Sequence, residues 1–122
     1  MDTLETIKSR YSFRGSYKST PVSREDLKKI LEAGLAAPSG CNKQTTSFIA
    51  LDNPELVVPI TEIIMKNGFR GKGAPAGIII LTQRIPAYGD VYFNTQDYSA
   101  AIENMLLAIT ALLKEVSRFT VE

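Results

Sequence analysis

Two arginines and a serine alternate near the N-terminus: Arg10, Ser12 and Arg14. In an extended segment that spacing places all three side chains on one face. Forked guanidinium donors beside a hydroxyl match the oxygens of a phosphate; the plainer reading is a solvated basic edge. A second polar cluster follows, Ala36-Ala37-Pro38-Ser39-Gly40-Cys41-Asn42-Lys43-Gln44. Pro38 drives the residue before it out of the helical region and should stop the preceding helix. Gly40 then permits either an unusual backbone turn or the close approach of another group. Ser39, Asn42 and Gln44 add short polar arms, which an ordinary helix-to-strand loop would use on its own backbone. Cys41 is the single cysteine, and the chain has no histidine. That removes most zinc, haem and triad chemistry and leaves no imidazole to activate the thiol. No metal site is expected.

These clusters need elements to hold them. Asp2-Thr3-Leu4-Glu5 reads as a capping box opening a short helix to about Ser9, with Leu4 and Ile7 inward. Ser23 caps the next helix, whose Leu27, Ile30, Leu31 and Leu35 recur at the spacing of one helical face. The run Ser47 to Leu51 reads as a buried strand. Asn53-Pro54 then pairs a cap with proline at the first helical position, predicting a helix to about Lys66. Its buried side should be Leu56, Val57, Ile60, Ile63 and Ile64. The stretch 67–77 is rich in glycine and base, but it precedes the strand Ile78 to Leu81. A dinucleotide fingerprint follows a strand and opens a helix, so the order is wrong for one. Tyr88 to Asn94 reads as a loop, and a long helix begins near Gln96 with apolar residues on most of its sides.

A chain of 122 residues is expected to form one domain, 1–122, of modest burying capacity. Hydrophobic residues make up 44% and charged ones 22%, a globular balance. The net charge of +1 offers no general attraction to nucleic acid or an anionic membrane, so any phosphate binding must be local. Neither a signal core nor a membrane-length apolar run is present, and a cytoplasmic location is expected.

Arg10-Tyr11-Ser12-Phe13-Arg14 followed by Ala37-Pro38-Ser39-Gly40-Cys41-Asn42-Lys43-Gln44 resembles the flavin-dependent nitroreductase family in order and in spacing. The resemblance runs to about Leu112 and then stops. It implies an α+β nitroreductase-like fold, a central sheet flanked by helices, truncated at the C-terminus. It also implies FMN between the subunits of a homodimer formed around the long helix. Arg10, Ser12 and Arg14 would hold the phosphate. Pro38, Ser39 and Gly40 of the partner subunit would line the ring, with Asn42 nearby and Asn67 and Arg70 as amide and cationic neighbours. The implied activity is an oxidoreductase using NAD(P)H to reduce nitroaromatics, quinones or similar acceptors. A relative that dimerises, with or without FMN, and does not turn over is the alternative. A small α+β domain with no ligand is the plainest.

Overall fold

Local signals set the helix starts. In the computed structural model, which describes residues 2–18, 20–68 and 72–117, α1 spans Thr3–Ser9 and the Asp2 side chain accepts from the Glu5 amide. Helix α2 spans Arg24–Leu35, with Ser23 accepting from the Asp26 amide. Helix α3 spans Pro54–Lys66, with Asn53 accepting from Glu55 and proline in the first turn. Each cap satisfies an amide that the helix itself leaves without a partner. A single 3-10 turn, Gly40–Asn42, stands between α2 and strand β1 (Thr46–Leu51). Strand β2 is Gly77–Thr82, and the long helix α4 is Asn94–Ser117.

Strands β1 and β2 pair antiparallel, Thr46 opposite Thr82 and Leu51 opposite Gly77, with α3 in the crossover. The ladder continues one step further, where the Gln83 amide donates to Thr45 O at 2.9 Å. Helices α2 and α4 pack together and against β1, and α4 also reaches β2. Leu27, Ile30, Ala101 and Met105 are buried at this centre. Arg24 grips the Asp52 carboxylate with two donors, tying the start of α2 to the end of β1.

Several expectations from periodicity fail here. Leu4 and Ile7 of α1 face outward, and Thr6 is the buried residue of that helix. On α2 the inward stripe is Leu27, Ile30 and Gly34, while Leu35 is 67% exposed. Strand β1 holds no buried residue: Thr46, Phe48, Ala50 and Leu51 are half-buried, and Ser47 and Ile49 exposed. On α3 Val57 alone is buried, and Leu56, Ile63 and Ile64 are exposed. An apolar face marks where burial is favourable, but it does not say what covers it. The stretch 88–94 is more than a loop: Pro86–Tyr88 (β3) and Val91–Tyr92 (β4) form a small hairpin. Gly89 and Asp90 make its turn, Gly89 at φ 51°.

Candidate functional site

The segment 39–45 is the most unusual piece of backbone in the chain. Cys41, Asn42 and Gln44 have φ of 52°, 55° and 50°, a region that side-chain-bearing residues seldom enter. Each such residue costs on the order of 1–3 kcal/mol unless its surroundings hold it there. Gly40 is not the residue taking this conformation. It is instead the point of close approach: a Cβ there would lie 2.4 Å from Phe93 Cδ2 and 2.7 Å from Phe93 Cβ.

What holds the loop is visible. Ser39 Oγ accepts from the Gln44 amide at 3.0 Å, and Gln44 Nε2 donates to Asn42 Oδ1 at 3.3 Å. The Gly40 amide donates to Asp97 Oδ1 at 2.8 Å, and Thr45 Oγ1 donates to Asp97 Oδ2 at 2.6 Å. Thr45 and Asp97 are both buried. Asp97 escaped the sequence reading, although a signal for it exists. Asp97, Ala101 and Met105 recur every four residues on α4 and all three are buried, so an acid stands in the helix's core stripe, where only a partnered one is tolerated.

Residues 10–14 lie outside regular structure, beyond the end of α1. Arg10 Nε sits 3.3 Å from Glu103 Oε1 on α4, which leaves its two terminal nitrogens without partners among the described residues. Ser12 and Arg14 are exposed and make no hydrogen bond among the described residues. Arg10 of the N-terminal trio and the loop therefore both anchor on α4, at Glu103 and Asp97. Six residues of helix separate these anchors by about 9 Å along the axis and about 120° around it. Pro38 and Asn42 are exposed, and Ser39 and Gly40 half-buried. Asn67 ends α3, and its Nδ2 donates to Ile63 O at 2.9 Å. Arg70 lies outside the described residues. Among the described residues no cluster of acids or thiols could hold a metal ion, and no helix is long and apolar enough to cross a membrane.

A sequence profile of the Nitroreductase family matches residues 7–79, a stretch containing both clusters. The chain belongs to the nitroreductase family. A Methanothermobacter thermautotrophicus protein bearing the name "Putative NADH dehydrogenase/NAD(P)H nitroreductase" is 36% identical over 116 residues, covering 92% of this chain and 57% of its own length. The crystal structure of a nitroreductase with bound FMN from Bacteroides fragilis superposes with TM-score 0.73 at 32% identity, over 89% of this chain and 64% of that one. Another, from Desulfitobacterium hafniense and also with bound FMN, gives 0.73 at 31% identity, over 92% and 66%. The nitroreductase fold is thus established for this chain, which spans somewhat more than half the length of that curated relative. The guanidiniums of Arg10 and Arg14 and the Ser12 hydroxyl are donors of the kind that match phosphate oxygens, as an FMN phosphate would require.

Proposed function

We propose that this nitroreductase-family chain binds FMN and serves as an NAD(P)H-dependent oxidoreductase acting on nitroaromatics, quinones or similar acceptors, as a homodimer. The observation that carries the reading is that Arg10, with its terminal nitrogens unpartnered among the described residues, and a clamped, strained loop both bond to helix α4. Arg10, Ser12 and Arg14 would hold the phosphate. Glu103 lies 3.3 Å from Arg10 Nε, so the two terminal nitrogens remain available for two parallel bonds. Pro38, Ser39, Gly40 and Asn42 would meet the ring, with Asn67 and Arg70 as the polar groups near it. The family resemblance implies a site that draws its phosphate residues from one subunit and its loop from the other. When bound, FMN supplies the hydride chemistry. The chain's own part is to orient it, exclude water and present fixed dipoles. No imidazole is needed for that, which suits a chain without histidine.

Titrating FMN against the protein by fluorescence quenching tests this. Replacing Arg10 and Arg14 with alanine should weaken binding by roughly 100-fold or more, since each charge-assisted contact contributes about 1.5–3 kcal/mol. Replacing Lys28 and Lys29 should change little: both are exposed and pair only with Glu32 and Glu25 one helical turn away. Equal losses from the two pairs would mean that the phosphate lies elsewhere. NAD(P)H consumption with a quinone acceptor then separates turnover from binding.

A further inference from the structure

Asp97 does more than fill a place in the core. The residue is 5% exposed, and its carboxylate takes two hydrogen bonds from opposite ends of one short segment, the Gly40 amide at 2.8 Å and the Thr45 hydroxyl at 2.6 Å. Between those ends stand the three residues in the left-handed region, Cys41, Asn42 and Gln44. The same first turn of α4 supplies a second hold on the loop. Phe93 fills the space a Gly40 side chain would need, and its carbonyl accepts from the Asp97 amide at 2.8 Å. The turn 93–97 therefore holds Gly40 by its amide and by its bare Cα. No lysine or arginine among the described residues pairs with Asp97; its charge is met by the two loop donors.

We propose that Asp97 is a positioning residue for the ring-lining loop: by holding Gly40 and Thr45 together it keeps residues 41–44 in the strained conformation that receives the flavin. The proposal rests on the flavin reading given above. It divides the roles of the carboxylate cleanly. Both bonds use it as an acceptor, so geometry rather than charge is what the loop requires. Asparagine in its place keeps Oδ1 for the Gly40 amide and turns Nδ2 toward Thr45 Oγ, which accepts as readily as it donates. Alanine leaves both donors buried and unpartnered.

The test compares Asp97→Ala, Asp97→Asn and Thr45→Val at a temperature where circular dichroism shows each variant folded. Two readouts are taken: amide exchange of Gly40 in flavin-free protein, and FMN affinity by fluorescence. In Asp97→Ala, Gly40 exchange should rise at least about tenfold while the β1–β2 amides stay unchanged, and the FMN dissociation constant should rise about 10- to 100-fold, as expected for losing one or two buried hydrogen bonds. Asp97→Asn should restore both to within about threefold, and Thr45→Val should fall between, having lost one of the two arms. Asparagine as poor as alanine overturns the proposal, and so does faster Gly40 exchange with unchanged FMN affinity, which leaves Asp97 a residue of the fold only. If Asp97→Ala does not fold, a Thr45→Val protein matching wild type in both readouts overturns it equally. Wild-type protein that takes up no FMN defeats the flavin reading by itself. The exchange contrast in flavin-free protein still decides whether Asp97 holds the loop.

Discussion

At the scale of single residues the loop is governed by two atoms that are absent from Gly40: a β-carbon and whatever would follow it. Swinging the Phe93 ring aside would relieve the 2.4 Å contact, but the 2.7 Å approach to Phe93 Cβ moves only if backbone moves. Gly40→Ala should therefore destabilise the protein by about 1–3 kcal/mol, as overpacking does, and weaken FMN binding with it. Urea unfolding followed by circular dichroism measures the first. A variant as stable as wild type would show that the loop backbone yields freely. Sequence reasoning had offered Gly40 as either a turn residue or a point of close approach, and the second is what the structure contains. The turn itself fell on Cys41, Asn42 and Gln44. Asn42 is of a type that enters this region more readily than most, but Cys41 and Gln44 are not, and the side-chain oxygens of Ser39 and Asp97 hold the conformation by accepting bonds from the loop. Asp97 was hidden for a related reason: an acid in the first turn of a helix is commonplace and complements the helix dipole. Its burial only becomes readable beside Ala101 and Met105.

At the scale of elements, the starts of α1, α2 and α3 were legible to the residue because caps are local chemistry, acting within three positions of the chain, whereas α4 begins at Asn94, two residues ahead of the expected Gln96. Faces were less so. Gly34 belongs to the inward stripe of α2, yet it carries no hydropathy signal, so Leu35 was assigned its place. The reason α2 wants glycine there is α4: a Cβ on Gly34 would lie 2.9 Å from Met105 Cγ and 3.0 Å from Phe48 Cζ. Gly34→Ala sets two effects against each other. Alanine favours a helix interior by about 1 kcal/mol, whereas overpacking a fitted contact costs about 1–3 kcal/mol. The second should win, giving a net loss that a urea midpoint shift with unchanged slope would record. A stabilised variant would mean that Met105 moves aside at little cost. The hairpin β3–β4 was illegible because its strands, three and two residues long, are too short for alternation to show. The Gly89-Asp90 pair between Tyr88 and Val91 was the available hint.

At the scale of the whole molecule, the distribution of apolar surface differs from what the sequence suggested. Helix α4 is buried at Asp97, Ala101 and Met105, where it meets α2 and the sheet, and half-buried or exposed over the rest of its described length. The most exposed aliphatic residues lie on α1, with Leu4 68% exposed, at the end of α2, with Leu35 67%, on α3, with Ile63 61%, and toward the end of α4, with Leu113 63%. Leu56, Val58, Ile64 and Met65 extend the α3 surface. No side chain of the described core is fully enclosed. So much exposed apolar surface on a small chain points to a partner, and a second copy is the simplest one. Light scattering at micromolar concentration should give twice the chain mass. A clean monomer would leave these faces without an explanation and would remove the second subunit from the proposed site.

The anchoring of both clusters on α4 also sets an order of events during synthesis. Gly40 and Thr45 precede Asp97 by 57 and 52 residues, and Arg10 lies further still from Glu103. At a ribosomal pace of roughly 5–20 residues per second, roughly 3–11 seconds separate the making of Gly40 from the making of its acceptor. Through that interval the loop has the sequence of a binding segment but nothing to hold its left-handed residues in place. The strained conformation of the loop is therefore a late event in folding, set by closure of long chain loops rather than by local preference.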